Sequence, residues 1–271
     1  MALTILLLVC APYAAVAVGY AEARRRGEAP PRWARVVGPA TAALHLAALV
    51  ATGRITGRSP FQTESQAVSF LAWSVAALYA VLEATSGIAT YGGRFWMLAA
   101  VLAGAGVPGI AAETGCAPAT TVPDTMRSFH VGFALLGTAA IVAGGLLATA
   151  YLGTYRRIKS RRIVPGATEG PSLFGLQRLA RDASFAGLVL LGPSLVLGWL
   201  ILRRTSAHNV WATVELGLAA LQFTLLLAAA FLWWRRPLRG AVAAWINVAA
   251  TVMAVLAFGV VHPLLTRVGG G

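Results

Sequence analysis

Eight apolar runs, each close to the roughly 20 residues an α-helix needs to cross a bilayer, divide this 271-residue chain almost without remainder. They are Ala2–Tyr20, Val36–Ala51, Ala67–Thr85, Phe95–Ala112, Ser128–Tyr155, Ala183–Leu202, Val210–Leu232 and Gly240–Pro263. Backbone polar groups find no water inside lipid, so segments of this kind are confined to helices that satisfy their own hydrogen bonds. The run 128–155 is longer than a bilayer crossing and must tilt or project. The connections leave no room for a soluble domain. The expectation is an all-α polytopic integral membrane protein, with eight transmembrane helices in a single transmembrane domain over 1–271.

Composition agrees. Hydrophobic residues make up 58% of the chain and charged residues only 11%, against about 25% charged in a soluble domain. Mean hydropathy is +0.73. The net charge of +13 would suit nucleic acid, but the basic residues sit in short connections between apolar runs, as topology signals do. Nucleic acid is therefore excluded as a partner, and membrane lipid is the expected surrounding.

Those basic residues orient the chain. Sixteen fall in one set of connections: Arg24 to Arg35, Arg94, Arg156 to Arg181, and Arg235 to Arg239. Six fall in the other: Arg54, Arg58, Arg127, Arg203, Arg204 and Arg267. The richer side is cytoplasmic, so both termini lie outside, together with His130, His208 and His262. The first run has no basic residue before it and three arginines after it, the reverse of a secretory signal; it reads as a retained helix. The longest inner connection opens with YRRIKSRR and continues into Leu173, Phe174, Leu176 and Leu179 with Arg178 and Arg181 interleaved. Residues 172–181 therefore read as a short amphipathic segment on the inner membrane surface.

Polar chemistry is sparse. Cys10 falls within the first run and Cys116 in an outer loop, and CxxCH and CxxC are both absent, so neither covalent c-type haem attachment nor thiol–disulfide exchange is indicated. Walker A, GxSxG and HExxH patterns are absent too. Glu83 reads as a carboxylate reaching the interface. Glu215, a turn into the seventh run, would pair with Arg203 or Arg204, orient a ligand histidine or donate a proton path. His45 lies near the middle of the second run, in AALHLAAL. A neutral imidazole at that depth either bonds to a neighbouring helix or serves a ligand.

His130 opens the fifth run and His262 closes the eighth, both on the outer side. Each taken singly is an interfacial residue near a helix end. Taken together in a histidine-poor chain, they suit two axial imidazoles on one haem iron. Arg127, Arg203 or Arg204 would meet haem propionates, since arginine suits carboxylates. Trp73, Trp96, Trp199, Trp211 and Trp245 would wall the macrocycle; Trp33, Trp233 and Trp234 suit the membrane interface. The expected cofactor set is haem b bound by His130, His262, His45 and Arg127, with His130 and His262 on the iron.

Several stretches, in order, resemble the cytochrome c assembly membrane proteins of the CcsA/HemX-like group. They are LHLAAL around His45, PFQTESQAVSFLAWSVAALYAVLE, FHVGFALLGTAAIVAGGLLATAYL from Phe129, PSLFGLQRLARDASFAGLVLLGPSLVLGWLI, and AWINVAATVMAVLAFGVV from Ala244. The resemblance implies that His130 and His262 match the family's two external haem histidines. It also implies a bacterial inner-membrane location and a role in haem handling or accessory cytochrome c biogenesis, alongside another maturation subunit. Members that join haem to apocytochrome c carry a tryptophan-rich WWD segment between the sixth and seventh spans. Here that connection is only RRTSAHNVW. The late histidine of the following span is also missing, since LLLAAAFLWW stands there. The ligase motif is therefore absent, whether the chain is an enzyme stays open, and the chain leans to the HemX-like branch. Two further readings stay open: a membrane regulator of a tetrapyrrole-biosynthesis enzyme, and a small-solute transporter, to which the glycines and proline of LAGAGVPGIA give support. A b-type cytochrome is disfavoured, because only His45 lies deep.

Overall fold

The computed structural model describes residues 2–56, 63–112, 124–160, 171–204, 210–235 and 240–257. Among them there is no β-strand. Eight α-helices follow one another: α1 (Ala2–Arg26), α2 (Arg32–Thr56), α3 (Glu64–Ser86), α4 (Gly92–Ala112), α5 (Asp124–Lys159), α6 (Leu173–Arg204), α7 (Val210–Arg235) and α8 (Gly240–Leu256). One 3₁₀ turn, Ala89–Tyr91, precedes α4. Among the described residues, five segments are long and apolar enough to cross a membrane: Arg32–Arg54, Ser65–Ser86, Thr125–Lys159, Leu173–Arg204 and Thr213–Arg235. Helix α8 is apolar but shorter.

The chain forms two compact units, α1–α4 and α5–α8. In the first, α1 packs on α2 and α4, and α3 packs on the same two neighbours. Its interior is aromatic. The Tyr13 and Trp96 rings stack with centroids 5.6 Å apart, and Tyr79 stacks on Phe95 at 4.9 Å while meeting Trp96 edge-on at 5.5 Å. All four are essentially inaccessible. One end is tied by charge: Glu83 of α3 accepts from the Tyr20 hydroxyl at 2.6 Å and from Arg35 Nε at 3.2 Å. Glu83 thus links α1, α2 and α3 instead of simply reaching for the interface. Helix α3 begins at Thr63, whose side chain accepts the Gln66 N–H, and stops at Gly87, whose φ of 62° suits a residue without Cβ.

In the second unit α5 packs on α6 and α8, and α7 packs on the same two. Lipid tails offer no hydrophobic drive for helix association, so close contact between small residues supplies it. Gly137 of α5 and Gly187 of α6 do this reciprocally. A Cβ on Gly137 would stand 3.3 Å from the Gly187 carbonyl, and one on Gly187 would stand 3.1 Å from the Gly137 carbonyl. Polar bonds add register: Asn247 Nδ2 donates to Ser184 Oγ at 2.5 Å, and Thr251 Oγ1 donates to the Ile141 carbonyl at 3.1 Å. Ile141, Leu191, Leu226 and Ala250 bring all four helices into one apolar cluster.

The amphipathic stretch 172–181 is not a separate helix. It forms the first turns of α6 and runs on without a break. The buried residues Leu176, Ala180, Ala183, Ser184, Gly187, Leu191 and Ser194 form one stripe along α6, and that stripe carries the helix through the charged turn at Arg178–Asp182.

Candidate functional site

His130 stands in the second turn of α5, against the last turns of α6. Its Nδ1 lies 2.8 Å from the Ser194 carbonyl oxygen and 3.2 Å from Ser194 Oγ. The Ser194 hydroxyl in turn donates to the His130 carbonyl at 3.1 Å. A carbonyl can only accept, so Nδ1 carries the proton and, in the neutral ring, Nε2 keeps its lone pair. A carbonyl acceptor behind the distal nitrogen is the arrangement that orients metal-ligating histidines.

Gly198 makes this seat possible. It lies one turn beyond Ser194, and a Cβ there would stand 2.8 Å from His130 Cε1. Only a bare backbone lets the imidazole reach the Ser194 carbonyl. The sequence reading missed both residues. The available signal was the small pair at i, i+4 in GPSLVLG, a spacing that marks close helix approach in membranes.

Other groups gather at this end of the unit. Arg127 and Glu215 both act electrostatically on the His130 ring. Trp199, next to Gly198, is 43% exposed, and the Arg203 guanidinium lies 4.1 Å from its ring centroid. Phe129 is exposed and stacks on Phe133. His262 and His208 lie outside the described residues, so the paired-histidine arrangement is not on view. Cys116 lies outside them too, and Cys10 is a free thiol.

His45 has a different setting. It is 1% exposed, in the first unit. Its Nε2 is 2.9 Å from Ser69 Oγ and its Nδ1 is 3.3 Å from the Tyr13 hydroxyl. Both ring nitrogens are therefore engaged, one by α3 and one by α1. A ligand role for His45 would require one of these bonds to open.

The tryptophans disperse. Trp96 is buried on Tyr13, and Trp73 packs against Phe70, both in the first unit. Trp245 carries Arg156 over its ring at 5.4 Å. Arg156 is about 39 Å from His130 along α5, at 1.5 Å per residue, so Trp245 belongs to the other end of the second unit. Trp211 opens α7. Of the interfacial candidates, Trp33 and Trp234 are exposed, while Trp233 is buried beside Ala229 and Ala243. Among the described residues no group of three or more His, Cys, Asp or Glu is placed to hold a metal ion.

What the described residues offer at this end is one histidine, His130, whose Nδ1 is held by the Ser194 carbonyl. Compared with protein families, with curated proteins and with solved structures, the chain matches none.

Proposed function

We propose that this protein is a multi-pass protein of the bacterial inner membrane that binds haem at its outer face, as an accessory factor in cytochrome c biogenesis. In this reading all eight helices cross the membrane and both termini lie outside. One observation carries it: the Ser194 carbonyl fixes the His130 tautomer and leaves Nε2 as a lone-pair donor. A half-buried imidazole needs a hydrogen-bond partner in any case; what the Ser194 carbonyl adds is the choice of Nδ1 as the protonated nitrogen.

The residues divide the work. His130 would hold the haem iron through Nε2, with His262 as the second histidine ligand. Arg127 and Arg203 supply cationic groups for propionates. Phe129 and Trp199 give apolar cover at the same end. His45, bonded at both nitrogens, ties α1 and α3 to α2 and acts as a fold element. Haem b, when bound, would supply the iron that these histidine nitrogens ligate. None of these roles requires a covalent step on the protein.

Haem titration of the protein in detergent, followed by oxidised and reduced absorption spectra, tests the proposal. Wild type should give a low-spin, bis-imidazole spectrum. His130→Ala and His262→Ala should each lose or weaken binding, and added imidazole should partly restore it. His208→Ala should bind as wild type does. Full haem binding by a folded His130→Ala protein would overturn the assignment.

A further inference from the structure

A dense group of exposed cations lies at the end of the second unit opposite His130. Arg156, Arg157 and Lys159 close α5, Arg178 and Arg181 project from the first turns of α6, and Arg235 closes α7. The helix ends converge. Gly240, which opens α8, sits so close to Gln177 of α6 and Tyr151 of α5 that a Cβ would stand 2.8 Å from each side chain. Arg156 lies over Trp245 of α8. Among the described residues of this end, Asp182 is the one carboxylate, 3.7 Å from Arg178 and 2.9 Å from Arg181. Most of the positive charge is left uncompensated.

Large apolar side chains stand among these cations. Trp234 is 79% exposed, Phe174 74% and Ile158 50%. The Arg235 guanidinium lies 5.5 Å from the Trp234 ring centroid. Exposed rings and alkyl stems interleaved with guanidinium groups are the side chains found at the boundary between acyl chains and headgroups. A soluble acidic partner would explain the charge but not the exposed Phe174 and Trp234. Arginine outnumbers lysine 21 to 1 in the whole chain, and Lys159 is its one lysine, so the residue type here follows the composition of the chain. Arginine presents a planar fork that binds phosphate oxygens in pairs.

We propose that this end of the second unit is a binding site for the phosphodiester headgroup of anionic phospholipid in the cytoplasmic leaflet. Arg156, Arg178 and Arg181 hold the phosphate, with Phe174 and Trp234 beside it at the interface. The site rests on the membrane reading and is independent of haem.

The test mixes the full-length protein in detergent with phosphatidylglycerol or phosphatidylcholine of the same acyl chains. Lipid retention is read by native mass spectrometry and thermal stability by melting. Phosphatidylglycerol should be retained and should raise the melting temperature; phosphatidylcholine and inorganic phosphate should do neither. Each of Arg156→Gln, Arg178→Gln and Arg181→Gln should weaken retention about fivefold, the factor that corresponds to about 1 kcal/mol per basic residue at an anionic surface. A triple arginine-to-lysine variant at these positions keeps the charge and the orientation, and should still lower the preference for phosphatidylglycerol. Equal retention of the two lipids, undiminished preference in the lysine variant, or stronger binding of polyglutamate than of phosphatidylglycerol would each overturn the proposal.

Discussion

His130 owes its position to two neighbours that carry no charge. Ser194 offers a carbonyl and a hydroxyl, and Gly198 offers room. Gly198→Ala should push the imidazole off the Ser194 carbonyl, at an overpacking cost of about 1–3 kcal/mol. Haem affinity should fall while the helical circular dichroism spectrum is kept; unchanged affinity would show that the seat is irrelevant to binding. His45 gives the opposite expectation. His45→Ala strands the Ser69 and Tyr13 hydroxyls in a dry interior, at about 1–3 kcal/mol for the unmade bonds. Its melting temperature should drop, and haem content per folded protein should stay the same. His45→Asn should recover part of the loss, since an amide can replace one imidazole bond. The histidines themselves were legible in the sequence, because ionisable groups in or beside apolar runs stand out. Their partners were not. Nothing in AALHLAAL says that α1 and α3 would take both ring nitrogens, and nothing near His130 names Ser194, 64 residues away.

The helices themselves were largely legible. Each apolar run lies mainly within one helix, because length and apolarity are the properties that a bilayer-crossing helix must have. Their ends were not. Helix α5 extends to Asp124 and Lys159, beyond the apolar run at 128–155. Helix α6 absorbs the amphipathic stretch that reads as a separate surface segment. The reason is local: no proline or left-handed glycine interrupts 173–183, and the buried stripe continues through it. Contact between α5 and α6 depends on Gly137 and Gly187. Gly187→Val should force these helices apart, at about 1–3 kcal/mol of overpacking strain, and lower the melting temperature. A neighbouring substitution on the exposed face, Ala186→Val, should leave stability near wild type. Equal effects of the two would contradict the packing described for this pair.

For the whole molecule, two four-helix units each close through their own neighbours. The membrane character was legible from composition, and the division into two units was not, since it depends on which faces meet. The basic asymmetry predicts that alkaline phosphatase fused after Gly271 is active and fused after Ser160 is inactive. The reverse pattern would move His130 to the cytoplasmic side and take the outer-face site with it. The central claim, that His130 holds haem iron, is tested most directly by the haem-to-protein ratio. It is measured by pyridine haemochrome on wild type and His130→Ala, both expressed with haem supplementation and purified as monodisperse protein. The account predicts about one haem per chain in wild type, by the one-iron, two-imidazole arrangement, and little in His130→Ala. A colourless wild-type protein, or equal haem in the two, would contradict it.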